Sequence, residues 1–337
     1  MTMSARPRVL SLAAIDPGVS ARYAETWDLV VRPWTETQEL ADPMELGAEL
    51  ASDGHMALLV EADFVTAEVF DAAPNLAFVG VCRGSTGHIE LDAATRAGVV
   101  VVHAPGRNAA AVAELTVALT LNLLRHVSDA EAYVQAGDWK DPADPYIRFS
   151  GDELGDQTVG IIGLGAIGRM TVGLLQAFGA RALAYDPGLD DAAIRATGAT
   201  PCLLPQLLAE AGVVVVHCPR TEATAGMIDA DAIASMGPGT RLVVTTGEGV
   251  VDESGVAAAL RSGHLAGAAF DVFDTYPIRP DHPLLHCPHA VLVPHIGGAT
   301  GATIRRHSAL VLEDLARFLN GERPQRLANP EVWNHRR

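Results

Sequence analysis

Three glycines and one acid carry the plainest chemistry in this chain. Gly163, Gly165 and Gly168 are spaced G-x-G-x-x-G within TVGIIGLGAIG, and Asp186 follows Gly168 by 18 residues. The residues around them predict the elements such a cluster needs. The apolar, β-branched run 158–162 reads as a buried parallel strand. A helical pattern then runs from about 166 to 178, with Ile167, Met170, Leu174, Leu175 and Phe178 near one stripe, and Gly179 stops it. A second strand, 182–185, ends at Asp186. Strand, glycine turn, helix, strand, acid is a dinucleotide fingerprint in its structural setting. Gly163 permits the tight turn, Gly165 lets a pyrophosphate approach the backbone, and Gly168 lets helix and strand pack closely. The helix N-terminus offers free N–H groups and partial positive charge to phosphate. Asp186 is placed to accept hydrogen bonds from the adenine-side ribose. It would repel a 2′-phosphate, and Pro187 and Gly188 supply no cation, so NAD is expected over NADP.

Composition narrows the function further. The 337 residues suffice for two α/β domains with separate cores, and 49% are hydrophobic. The formal charge, 24 − 41 = −17, argues against nucleic acid and anionic membrane as partners and leaves a small-molecule substrate. Lys140 is the only lysine, which excludes Schiff-base chemistry near these motifs. Cys82, Cys202, Cys218 and Cys287 form no CxxC pair, so neither a metal site nor a disulfide framework is expected. The first residues lack a cleavable hydrophobic signal, and the longest apolar stretch, 112–124, is interrupted and too short to span a bilayer. A soluble, cytoplasmic protein is the expectation.

The elements that must hold these groups alternate along the whole chain. Strands are expected at 8–13, 27–31, 56–60, 76–82 and 99–103, with helices near 65–70 and 92–97, which predicts a parallel, flavodoxin-like sheet. Loops at the C-terminal ends of such strands hold ligands. The loop 83–87 follows such an end. Arg83, Gly84, Ser85 and Thr86 combine a cation, two hydroxyls and a flexible glycine, which reads either as a carboxylate cradle or as a surface turn. Residues 104–106 read as a crossover. The long apolar helix 109–127 is expected to be buried between domains or in a dimer, and 139–152 to form a loop or arm. Past Asp186, strands at 213–217, 242–246, 266–273 and 290–293 align His217–Pro219, 245–248, Asp271 and His295 along one sheet edge. The nicotinamide half of the cofactor belongs there. An amphipathic helix, 303–319, closes the chain and is expected to pack on the first domain.

The order GLGAIG, AYDP, HCPRTEAT, VVDESGVAAALRSGHLAGAAFDVF, DHPLL and VPHIGGAT resembles the D-isomer-specific 2-hydroxyacid dehydrogenases, the superfamily of phosphoglycerate, glycerate and formate dehydrogenases. The likeness is dense from about residue 78 to 319. It implies two doubly wound parallel-sheet α/β domains with a cleft between them. These are a flavodoxin-like substrate domain, 1–103 plus 296–337, and an inserted Rossmann NAD domain, 104–295, that forms a homodimer. By the same resemblance Gly163, Gly165, Ala166, Ile167 and Gly168 hold the pyrophosphate and Asp186 the ribose. Cys218, Pro219 and Thr224 line the adenine side. Thr245, Thr246, Asp271, His295, Gly297 and Gly298 lie by the nicotinamide.

The family's chemistry rests on a histidine acid/base, a glutamate that orients it and an arginine that grips the substrate carboxylate. Here His295 is present, but Gly247 stands at the arginine position in VVTTGEG, and Tyr276 at the glutamate position in DVFDTYP. The flanking VVDES and AGAAFDVF runs fix both registers. The resemblance therefore implies a dehydrogenase for an altered 2-hydroxy acid or related hydroxylated substrate. Glu248 or Asp274 would partner His295, Tyr276 would hydrogen-bond the substrate, and Arg83 or Arg107 would supply the cation. Two other readings stay open: a redox-neutral enzyme that keeps NAD, and a catalytically silent NAD-binding sensor or scaffold.

Overall fold

The computed structural model describes residues 6–337. Two compact units form, one reaching Arg107 and resuming over Thr300–Arg337, the other spanning Asn108–Ala299. Both boundaries fall four residues beyond 103 and 295, for local reasons. Ala104 N–H still donates to Arg83 O at 2.8 Å, and Ile296 and Gly297 N–H donate to Asp271 in the second unit.

The first unit holds five parallel strands: β1 (Arg8–Ser11), β2 (Asp28–Val31), β3 (His55–Val60), β4 (Phe78–Val81) and β5 (Val100–His103). Their order, β2-β1-β3-β4-β5, is the flavodoxin-like one, with its switch point between β1 and β3. Side chains alternate between two cores. Leu10, Leu58, Val79 and Val101 pack under helices Pro43–Asp53, Ala67–Ala72 and Leu91–Arg96. Val9, Leu59, Phe78 and Val100 pack under the terminal helix Gly301–Leu319, through Val311, Leu312, Leu315 and Phe318. Gly80 in β4 is what lets that helix approach, since a Cβ there would overlap Val311.

The second unit holds seven parallel strands: β6 (Thr158–Ile162), β7 (Arg181–Tyr185), β8 (Thr200–Pro201), β9 (Val213–Val216), β10 (Thr240–Val244), β11 (Leu265–Phe270) and β12 (Ala290–Leu292). The order β12-β11-β10-β9-β6-β7-β8 is a Rossmann sheet extended by one strand, with its switch point between β6 and β9. Almost every residue of β6, β9 and β10 is buried, as a sheet covered on both faces requires.

Three expectations change. The helix expected over 109–127 is Ala109–Arg125, ended by His126 at φ +54°, and most of its apolar face packs inside its own unit against helix Ala166–Ala177. The segment 139–152, expected as a loop or arm, contains the helix Asp144–Arg148, and a further helix, Val127–Gln135, precedes it. Helix Pro43–Asp53 was not expected, although Asp42 caps it and Gly54 closes it at φ +68°. No single helix among the described residues is long and apolar enough to cross a membrane.

Candidate active site

At the switch point of the second sheet the glycine turn has the geometry its spacing implies. Gly163 has φ +96°, and a Cβ there would stand 2.7 Å from Cys218 N, so the turn is pressed against the end of β9. A Cβ on Gly168 would overlap Gly163 O, whereas Gly165 has nothing within 4 Å of its Cβ direction. Two glycines thus close the packing and the middle one leaves an open cradle. Helix Ala166–Ala177 starts there with no side-chain cap, so its first N–H groups stay available to a ligand. Asp186 is half-buried and accepts from Leu164 N–H at 2.8 Å and Gly188 N–H at 2.9 Å, which fixes its carboxylate beside the turn. Arg169, which the sequence reading passed over, donates through Nε to Leu164 O at 2.8 Å and puts a cation at the cradle's edge. An open backbone cradle, free N–H groups, a flanking cation and a fixed carboxylate suit a dinucleotide.

His295 lies three residues past β12, in the left-handed region at φ +54°, with its side chain exposed. Asp271, at the end of β11, explains why this backbone holds. It is almost wholly buried, and its two carboxylate oxygens accept from Ile296 N–H at 2.6 Å and Gly297 N–H at 2.9 Å. Gly297 has no room for a Cβ because Asp271 Oδ2 would lie 2.7 Å away, and Gly298 packs on Asn108. Burial pushes the Asp271 carboxyl above its ordinary range, while the two N–H donors pull it back. The ring of Tyr276 stands 5.4 Å from that of His295, tilted by 35°. Its hydroxyl accepts from Phe273 N–H at 2.9 Å, and burial pushes its pKa up to about 12. It therefore stays protonated, with its own O–H free to donate.

The loop after β10 departs most from expectation. Gly247 has φ +83°, and a Cβ there would overlap Cys218 O and stand 2.9 Å from Val250 Cγ2. Gly247 thus holds a left-handed turn pressed against the end of β9, and an arginine placed at 247 would be strained. Glu248 is exposed and makes no hydrogen bond or ion pair among the described residues, so it does not partner His295 here. Asp274 is also committed elsewhere, accepting from Gly249 N–H at 2.7 Å. The neighbouring loop, after β9, carries a cation the sequence reading missed. A Cβ on Gly249 would stand 3.0 Å from Arg220 Nε, so the Arg220 side chain lies along that glycine. Arg220 has no ion-pair partner within 4.0 Å among the described residues. A basic residue after a strand end was the available signal.

Behind this edge, Thr245 and Thr246 act first as supports. Thr246 Oγ1 donates to Val216 O at 3.3 Å. Thr245 Oγ1 lies 3.0 Å from Thr116 Oγ1 and 3.3 Å from His217 Nδ1, and His217 Nε2 lies 2.9 Å from Thr171 Oγ1 on the glycine-turn helix. Burial pushes His217 down to about 3, so it is neutral in the folded protein. The unfolded chain binds a proton at His217 below about pH 6.5, while the folded chain does not until about pH 3. Stability contributed by this group is therefore complete above about pH 6.5 and falls with acidification, by about 2–4 kcal/mol at pH 4. Denaturant midpoints of wild type and His217→Gln across that range should converge at low pH. Parallel curves would remove His217 as the cause. Thr224 likewise has a local task, donating to Pro219 O at 2.7 Å and accepting from Thr221 N–H at 2.7 Å, while Cys218 is buried with its thiol pushed up to about 11.

In the first unit, the loop after β4 carries Arg83, Gly84, Ser85 and Thr86. Gly84 O meets His103 Nδ1 at 2.8 Å, Ser85 Oγ accepts from Gly87 N–H at 3.4 Å, and Thr86 O accepts from Ile89 N–H at 2.9 Å. Arg83 has no ion-pair partner among the described residues. Arg107 does not fit the free-cation expectation. It is largely buried, 2.7 Å from Glu61 Oε1 and 2.9 Å from His307 Nδ1, so its charge is already answered.

A Rossmann unit with an open glycine cradle and an imidazole at its strand ends, in a chain that also folds a flavodoxin-like unit, defines an NAD-dependent dehydrogenase class. The chain belongs to the D-isomer-specific 2-hydroxyacid dehydrogenase family: residues 117–297 match its NAD-binding domain, and NAD(H) is the cofactor. It is 34% identical over 337 residues to a glyoxylate reductase of Thermofilum pendens, covering 97% of this chain and 96% of that one. It is 40% identical over 267 residues to the D-3-phosphoglycerate dehydrogenase of Mycobacterium leprae, covering 79% of this chain but 49% of that longer relative. A crystal structure of a Thermus thermophilus protein superposes with TM-score 0.81 at 32% identity, covering 95% of this chain and 99% of that one.

Proposed function

We propose that the protein interconverts a 2-hydroxy acid, or a related hydroxylated compound, and its keto form, with His295 as the acid/base. One observation carries this reading: Asp271 spends both carboxylate oxygens on the turn that displays His295, on the sheet edge that also forms the glycine cradle. When bound, NAD(H) supplies or accepts the hydride at the carbinol carbon. The chain's own residues do the rest. His295 gives a proton to the substrate oxygen in reduction and takes it in oxidation. Tyr276 steadies the imidazole by ring contact where the family has a glutamate, and its O–H donates to the substrate. Exposed Glu248 makes this edge more acidic, which favours substrates with hydroxyl or amine groups over plain keto acids.

A 2-hydroxy acid still brings a carboxylate, and a carboxylate needs a cation. Arg220, on this loop pair in the second unit, and Arg83, in the first, each lack an ion-pair partner among the described residues. Arg220→Ala should raise KM for glyoxylate and longer 2-keto acids roughly 10–100-fold while NADH affinity holds. If NADH affinity falls instead, Arg220 serves the cofactor. Homodimer formation belongs to this proposal, through helix Val127–Gln135 and the following arm, which expose Val127, Val134, Trp139, Tyr146 and Ile147.

The deciding measurement is NADH absorbance across keto acids, phosphonates and sugar acids. Turnover that disappears in His295→Ala supports a dehydrogenase. Persistent silence with NADH still bound would instead favour the redox-neutral or sensor readings.

A further inference from the structure

The first unit has a crevice of about 680 Å³, open mouth included, that the redox chemistry does not use. It lies at the C-terminal ends of β1, β2 and β3, lined by Leu12 after β1, Arg32 and Trp34 after β2, and Asp63 after β3. In an open α/β sheet the crevice at the switch point is where a ligand is held, and here that point is between β1 and β3. Without the open mouth the crevice holds about 240 Å³, smaller than a drug-sized site and suited to a ligand of amino-acid size.

The lining is acidic. Glu39, Asp42, Glu45, Glu49 and Asp63 face one cation, Arg32. That cation is already answered, with its Nη2 at 2.6 and 2.8 Å from the two oxygens of Glu49. Asp42 Oδ1 is spent on Met44 and Glu45 N–H at the helix start. Asp63 is the telling residue. It is 1% exposed, and its Oδ1 accepts from Ala41 N–H at 3.0 Å. Its Oδ2 is buried with no hydrogen-bond partner. A buried carboxylate oxygen without a donor costs free energy unless something brings one. Burial accordingly pushes the Asp63 carboxyl above its usual range.

We propose that this crevice binds a small organic cation, an ammonium or guanidinium group on a ligand of about amino-acid size, with Asp63 Oδ2 as its acceptor. The carboxylates of Glu39 and Glu45 raise the local concentration of such a cation. The indole of Trp34, held by its Nε1 donating to Glu61 Oε2 at 3.3 Å, gives the wall an aromatic surface that suits the ligand's carbon chain.

The test is isothermal titration of the full chain with agmatine and with its neutral counterpart N-butylurea. Agmatine should bind and weaken with added salt, while N-butylurea should not bind. Asp63→Asn should lower agmatine affinity about 10-fold or more. The same change removes an unsatisfied buried charge, so the variant should unfold no earlier than wild type. Were it to misfold, Glu45→Gln at the exposed rim should still weaken agmatine about 3-fold. Equal binding of agmatine and N-butylurea, unchanged affinity in both variants, or binding of calcium chloride with agmatine silent would each overturn the proposal.

Discussion

Replacing His295 by alanine should lower kcat by about 10²–10⁴-fold and leave NADH binding intact. The imidazole projects from a turn whose backbone is held by Asp271, not by the ring itself, so truncation leaves the loop standing. The glycine cradle proposed to receive NADH follows another strand, β6, and does not depend on the ring. Steady-state rates with an active substrate, paired with NADH fluorescence titration, separate the two effects. Retained turnover would mean that the proton comes from elsewhere, with Tyr276 the next candidate.

The second large effect is expected at Gly168. Its Cβ direction points at Gly163 O, backbone that cannot rotate away, so Gly168→Ala forces helix Ala166–Ala177 off β6. Overpacking of this kind costs about 1–3 kcal/mol. The N–H groups and the partial charge of the helix start move with it, so NADH affinity should fall by on the order of 10²-fold. Gly165→Ala is the control, because nothing lies within 4 Å of its Cβ direction. It should leave stability unchanged and weaken only NADH. Equal melting temperatures for Gly168→Ala and wild type would show that the helix has slack.

The parts of this site that were legible in the sequence are those written in short, periodic stretches. The glycine spacing, the apolar runs of β6, β9 and β10 and the acid at 186 each signal their element locally. So does the placing of His217, Thr245, Asp271 and His295 at strand ends, since a parallel sheet puts every strand's last residue on one edge. Partnerships across the chain were not legible. Arg107 looked like a free loop cation until its contact with Glu61, 46 residues away, was visible. Asp271 looked like a ligand contact, and its hold on residues 25 and 26 positions downstream gives it a supporting task as well. Gly247 read as a missing side chain, yet its φ of +83° is a property of the backbone that the residue name only permits. Helix Pro43–Asp53 is a different kind of miss, since an Asp-Pro start and a Gly stop were both in the sequence.

The first unit is assembled from both ends of the polypeptide, and that has a consequence during synthesis. β5 leaves the ribosome about 200 residues before helix Gly301–Leu319, a delay of roughly 10–40 s at ordinary translation speeds. Throughout that interval the β-face bearing Val9, Leu59, Phe78 and Val100 has only Ile15, Val19 and Trp27 for cover and lacks Val311, Leu312, Leu315 and Phe318, while the inserted unit can already finish folding. A nascent chain stalled near residue 300 would display a complete nucleotide fold joined to a half-dressed sheet, the kind of surface that chaperones hold and proteases find.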